Sequence, residues 1–240
     1  MFAGSGQDRK TMFFFDPIYL FFMIPGMLLS LWASARTKSA FKKWGRVRAR
    51  MTGAQAARTM LDQAGLYNVR IGRADGLLSD HYNPATRSLA LSTEVHDRPS
   101  IAAVGVACHE AGHAIQHANA YAPLQLRSAL VPTAKIGSSL GWIVIFAGIF
   151  LASAGLTQLG ILLFSATVVF QLVTLPVEFD ASRRAKELVV NYGILAPHER
   201  VGVDKVLNAA AWTYVAAAVA GILQLLYFLM RAGLLGGSDD

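Results

Sequence analysis

One cysteine stands in 240 residues, Cys108, so no disulfide can form within the chain. Charge is also scarce. Asp, Glu, Lys and Arg supply 15% of the residues against 54% hydrophobic ones, far from the balance of an average soluble domain. Three stretches contain no Asp, Glu, Lys or Arg at all: Ile18 to Ala35, Ile136 to Val177 and Ala209 to Met230. About 20 such residues cover the roughly 30 Å of a bilayer's hydrocarbon, so the first and last stretches fit one crossing each. The middle stretch is about twice that length and predicts a hairpin of two crossings, near 138–154 and 158–175, turning within Ser153 to Gly160. A soluble domain of buried helices is the plainer alternative, but charge-free blocks this long rarely occur in one small soluble domain. A convincing small-residue cleavage site is missing too. Arg9 and Lys10 precede the first stretch as in a signal peptide, but its apolar run passes Pro25 to Trp32 and ends in a basic cluster, so it is expected to persist as a helix.

Acids are outnumbered 15 to 22 by Lys and Arg, for a net charge of +7. Fourteen of the cations lie between Arg36 and Lys135 and five between Arg183 and Lys205, leaving Arg9, Lys10 and Arg231 for the other side. The positive-inside rule then places both polar segments in the cytoplasm and both termini outside. The expected order is an extracytoplasmic N-terminus 1–17, a first crossing 18–35, a cytoplasmic domain 36–135, the hairpin 136–177, a second cytoplasmic segment 178–208, a last crossing 209–230 and an outer tail 231–240. No nucleic-acid recognition module is visible, and the cations crowd beside a membrane-crossing helix, where anionic headgroups attract them. The expected partner is therefore the lipid bilayer. No internal repeat appears, and the oligomeric state is open: Gly137, Ser138, Gly141 and Gly148 suit helix packing within one chain or between chains.

Between the crossings, Ala56, Ala57, Met60 and Leu61 follow helical spacing, with Thr52 as cap and Gly65 as stop. Two strands are expected near 67–72 and 87–92, joined by a turn-rich loop that Asp80, Asn83 and Pro84 hold. A helix follows from Ser100, its cap, through 118. Tyr121 to Lys135 reads as a mixed connector broken by Pro123 and Pro132. The chain emerges from the hairpin as a helix that ends at Gly193, turns at Pro197 and continues into the last crossing.

The helix 100–118 carries His109, Glu110 and His113 in the pattern H-E-x-x-H. At i, i+4 both imidazoles rise from one face and reach one metal ion. Glu110 follows the first ligand directly, beside the ion, where its carboxylate accepts a proton from an attacking water and passes it to the leaving amine. Catalytic zinc commonly takes a third protein ligand and keeps one open position. The hairpin returns the chain to the same side just before Glu178, so Glu178, Asp180 and Glu187 are the carboxylates to compare. Glu178 is favoured, with Asp180 as a partner that orients a ligating histidine and Glu187 as an exposed helix residue. His117 is the rival ligand, but His109 and His117 lie about 12 Å apart along the helix axis, too far for three histidines to converge. His81, His96, His198, Tyr192, Arg183 and Arg184 are candidate donors to the charge that develops on the substrate carbonyl, with His198 and Arg184 ahead of the rest. Strand 87–92 is expected to offer an open edge to an extended peptide.

"SDHYNP" at 79–84, "LALS" at 89–92, the helix 100–118 and "LPVEFDASRRAKELV" at 175–189 resemble the marked segments of the YugP-like family of bacterial integral-membrane neutral zinc metallopeptidases, in order and spacing. The resemblance runs from the first membrane helix to the last. It implies one Zn2+ per chain held by His109, His113 and Glu178, with Glu110 as base, in a bacterial cytoplasmic membrane with the site facing the cytoplasm. Related gluzincin-like peptidases carry, four residues past the glutamate ligand, an Asp that orients a ligand histidine. Ser182 stands at that position here, so Asp180 and Ser182 are the candidates for the role. The fold expected is mainly α: four transmembrane helices with a cytoplasmic zincin-like α+β domain containing a small β-sheet.

The function expected is that of a membrane-embedded zinc endopeptidase acting on a peptide or membrane-protein substrate. Two other classes fit the same motif: a non-catalytic membrane scaffold or adaptor that keeps zinc for structure, and a metal-dependent hydrolase of a non-peptide amide or lipid-linked substrate. A fourth protein ligand on the ion marks the first.

Overall fold

In a computed structural model, residues 16–76 and 79–235 are described. Arg9, Lys10, and the parts of the expected outer segments at 1–15 and 236–240 lie outside them. The order of elements is α1 (Pro17–Trp44), α2 (Gly53–Gln63), β1 (Arg70–Ala74), β2 (His81–Asn83), β3 (Ser88–Ser92), α3 (Thr93–His96), α4 (Ile101–Ala118), α5 (Ala122–Phe150), α6 (Ala154–Asn191) and α7 (Arg200–Arg231). The fold is mainly α with four membrane-spanning helices, α1, α5, α6 and α7. They carry 28, 29, 38 and 32 residues, more than the roughly 20 a crossing needs.

The chain divides into two compact units. The first comprises 1–32, 127–173 and 215–240. Its core gathers Ile145, Ile161, Phe164, Val168, Tyr227 and Phe228. Trp142 meets Phe164 and Phe228 edge-on at centroid distances of 5.7 and 5.3 Å, arrangements that suit the ring quadrupoles. The hairpin α5–α6 turns through Leu151, Ala152 and Ser153, with Ala152 in the left-handed region at φ 52°. Gly137 is used inside the chain: a Cβ there would collide with the carbonyl oxygen of Leu163 on α6. The connector expected over 121–135 is instead the start of α5, which runs unbroken through Pro132. Pro123 sits in the first turn, where no amide is needed, and Pro132 removes one ladder bond. The bonds on either side persist because apolar surroundings penalise freed backbone groups.

The second unit, 33–126 and 174–214, is built around α4. Fourteen of the helix's 18 residues are buried. Met60 and Leu61 of α2, Leu89 and Leu91 of β3, and Val203 and Leu207 of α7 share its core with Ile101, Val104 and Cys108. A helix apolar on nearly every face must be enclosed, which explains why the motif helix lies inside the unit. Ser100 caps α4 by accepting the Ala103 amide at 3.2 Å. Thr52 and Gln55 form a reciprocal capping box on α2.

The sheet has the order β1-β3-β2, with β3 parallel to β1 and antiparallel to β2. Both edges of β3 are therefore covered, and the expectation of an open edge on strand 87–92 is overturned. Its second neighbour, β2, pairs His81, Tyr82 and Asn83 with Ala90, Leu89 and Ser88 in a segment expected as loop. Asp80 anchors β2 by accepting the Ser92 amide at 2.8 Å, and Asn83 closes the following turn on the Ala85 amide at 3.0 Å. β1 starts at Arg70 rather than 67. Arg58 claims the carbonyls of Leu66 and Val69, at 2.8 and 2.7 Å, and holds residues 66–69 as a turn.

Gly53 is the tightest point between α2 and its neighbours, because a Cβ would meet the carbonyl oxygens of Val95 and Ala103. Both obstacles are backbone. Gly53→Ala is expected to destabilise the protein by about 1–3 kcal/mol, as overpacking does; an unchanged unfolding midpoint in detergent, followed by circular dichroism, contradicts this packing.

Candidate metal centre

His109, Gly112, His113 and Gln116 recur at i, i+3, i+4 and i+7 and form one stripe of α4. Glu178, Ala181 and Ser182 form a matching stripe of α6. The stripes meet at Gly112, where a Cβ would stand 2.8 Å from the carbonyl oxygen of Ala181. Only a glycine lets the backbones approach so closely. The ligand atoms of His109, His113 and Glu178 consequently gather within 4.8 Å of one another. Nε2 of His109 lies 3.1 Å and Nε2 of His113 3.5 Å from Oε2 of Glu178. The imidazole rings stand edge to face at 82°. This cluster can hold one metal ion.

The far side of each imidazole is also engaged. Ser182 Oγ lies 3.1 Å from Nδ1 of His109, so Ser182 occupies the orienting position and Asp180 does not touch this ring. Behind His113 the hydrogen bonds fix a proton. The Gln116 amide nitrogen donates to the carbonyl of Val177 at 2.8 Å and to the Asp180 carboxylate at 2.9 Å, two groups that only accept. Its oxygen must then face His113, where it accepts from Nδ1 at 2.9 Å. Nδ1 therefore carries the hydrogen, and the Nε2 lone pair is left for an ion. Asp180 is held in turn by Arg184 and Arg183, and the Arg184 guanidinium lies over the Tyr121 ring at 5.8 Å.

Electrostatics at the cluster favour a cation. Burial disfavours a charged imidazole at His113, but hydrogen bonding to Glu178 and the Glu110 and Glu178 charges outweigh it and raise its pKa above the ordinary histidine value. Glu110 is buried, at 8% exposure. Cys108 beside it is fully enclosed, and burial pushes its thiol up to about 12, which leaves it inert.

The remaining candidates lie elsewhere. His117 Nδ1 pairs with the Tyr82 hydroxyl at 2.8 Å. His81 bonds the Ser79 carbonyl and His96 the Asp97 carboxylate, at 2.8 and 2.7 Å. His198 is exposed, Tyr192 packs against the core, and Arg183 pairs with Glu187 at 3.0 Å. Gln116 and Tyr82 went unrecognised in the sequence. Gln116 had a signal, as a polar residue three past His113 within an otherwise apolar helix; Tyr82 had none, because its strand has no alternation.

The family model described as "Putative neutral zinc metallopeptidase" matches residues 19–233. The chain is 45% identical over 225 residues, 93% of its own length and 99% of the relative's, to the "Putative membrane protease YugP" of Bacillus subtilis (strain 168). No solved structure matches.

Two outcomes are expected. Gln116→Leu, which frees His113 Nδ1, lowers metal affinity by about 10–100-fold, as loss of an outer partner of a ligand does; an unchanged Kd in calorimetric titration contradicts the assigned tautomer. Because a raised pKa lets protons compete for His113, the apparent affinity falls with decreasing pH, starting above the usual histidine value of about 6.5. Affinity that stays level down to pH ~6 contradicts it.

Proposed function

We propose, for a chain that belongs to the neutral zinc metallopeptidase family, that His109, His113 and Glu178 hold one Zn2+ and that Glu110 is the general base of an endopeptidase. The donor set supports zinc. Two imidazole nitrogens and a carboxylate oxygen are its usual ligands, and a tetrahedral ion with bonds of about 2.0–2.2 Å needs donors roughly 3.3–3.6 Å apart. The separations of 3.1 and 3.5 Å bracket that spacing. Among the described residues the cluster has three members, the number that leaves a catalytic ion one open position. This observation carries the choice of an enzyme over a structural zinc scaffold.

Bound zinc supplies Lewis acidity, lowering the pKa of a water and polarising a carbonyl. Glu110 takes the proton of the attacking water on a carboxylate oxygen and delivers it to the departing amine nitrogen. Ser182 and Gln116 keep the two imidazoles turned toward the centre. Asp180 acts through Gln116, and Arg184 and Arg183 hold Asp180 in place. The substrate class is a peptide or a membrane protein. The site faces the cytoplasm, on the side where the cations flanking the crossings concentrate, and the protein lies in the cytoplasmic membrane.

Glu110→Gln is expected to retain zinc and lose about 10²–10⁴-fold in turnover of a reporter peptide by detergent-purified enzyme; full activity sinks Glu110 as base. Glu178→Ala is expected to lose bound zinc, and full occupancy by elemental analysis removes Glu178 from the ligand set. Sidedness has its own test, because the native cysteine is buried and unreactive. A cysteine introduced at exposed Thr86 reacts with an impermeant maleimide only after intact cells are opened, and labelling in intact cells reverses the orientation.

A further inference from the structure

The charge-free stretches contain few hydrogen-bonding side chains, and two of them, Gln171 on α6 and Gln224 on α7, line the same cavity. The cavity measures about 580 Å3, within the range of ligand sites. Both belong to the membrane unit. Gln224 is 5% exposed. Its amide nitrogen is buried without a hydrogen-bond partner, and so is the amide oxygen of Gln171. One orphan is a donor and the other an acceptor. They lie close in the fold, because Gly221, three residues before Gln224 on α7, leaves the room that the Gln171 oxygen occupies. In hydrocarbon no water relieves such groups, so a pair of unmet amides is costly unless something enters to meet them.

The mouth indicates the direction of entrance. Leu20, Ile24 and Met27 of α1 line the cavity and are exposed at 43, 42 and 54%. A spanning helix exposes such side chains to lipid, so the cavity opens sideways into the bilayer. Its occupant must be apolar and must present an acceptor to Gln224 and a donor to Gln171. A peptide group supplies one of each side by side. A regular transmembrane helix does not, since its backbone groups are already paired, and glycerolipid chains at this depth offer carbonyl acceptors without N–H donors. We propose that this cavity binds a locally unwound stretch of a second membrane-spanning polypeptide through Gln171 and Gln224. Resting on the peptidase function above, this makes the substrate a membrane protein held at a break in its helix.

The test uses the full chain carrying Glu110→Gln, to prevent cleavage, in phosphatidylcholine vesicles. Two fluorescent membrane-spanning peptides of equal length are offered, one an uninterrupted leucine-alanine helix and the other with a central Gly-Pro pair. Energy transfer should report a preference for the broken helix of about tenfold, the size of one or two hydrogen bonds in a membrane. Gln171→Leu with Gln224→Leu should abolish the preference while the fold persists, since apolar residues of similar shape replace two unmet amides. Equal binding of both peptides, or a preference that survives the double substitution, overturns the proposal. So does a lipid that co-purifies with the wild type and not with the double variant, when no peptide preference is seen. Hydrolysis of a short soluble peptide separates the two claims: the double variant should match the wild type. If the wild type cleaves nothing while the peptide preference stands, the cavity assignment holds and the peptidase assignment fails.

Discussion

A backbone contact between Gly112 of α4 and Ala181 of α6 governs the metal centre. Side chains at i±3 and i±4 flank such a crossing on each helix, so the contact decides which residues face each other. On α4 these are His109, His113 and Gln116; on α6 they are Glu178 and Ser182. The ligand set and the groups behind it are thus one consequence of one close approach. A larger residue at 112 would part the helices and move both the carboxylate and the serine from the imidazoles together.

The environment of the centre follows from where α4 lies. A helix apolar on most of its surface is enclosed by α2, the sheet and α7, and its motif residues are carried into the interior with it. Burial of two imidazoles beside two carboxylates is unfavourable for the bare side chains and favourable for a cation among them. Low local dielectric also strengthens the hydrogen bonds that hold each ring. The chain His113, Gln116, Asp180, Arg184 passes from the buried centre to a half-exposed guanidinium, so the negative charge behind the ligand is itself neutralised near solvent. Membership of the zinc metallopeptidase family accords with this arrangement, which serves a reactive ion more than a structural one.

Much of this was legible in the sequence because it depends on local or absent features. Charge-free stretches announced the four spanning helices, and the spacing of His109 and His113 announced a shared face. Glu178 became legible through topology: a hairpin had to return its first carboxylate near the point of departure. Features that depend on a distant partner were hidden. Gln116 orients His113 only because Val177 and Asp180, more than 60 residues later, accept from its amide. The turn at 66–69 exists because Arg58 on another element takes its carbonyls. β2 is three residues long without alternation, and missing it left β3 with an imagined free edge. Pro132 looked like a break because the rule for soluble helices was applied to one shielded from water.

The central claim is a single ion shared by two histidines of one helix and a carboxylate of another. X-ray absorption on the zinc-loaded protein tests it most directly. The account predicts a first shell of nitrogen and oxygen only, at about 2.0–2.2 Å, with multiple scattering from two imidazoles. A sulfur neighbour, or scattering from three or more imidazoles, contradicts it.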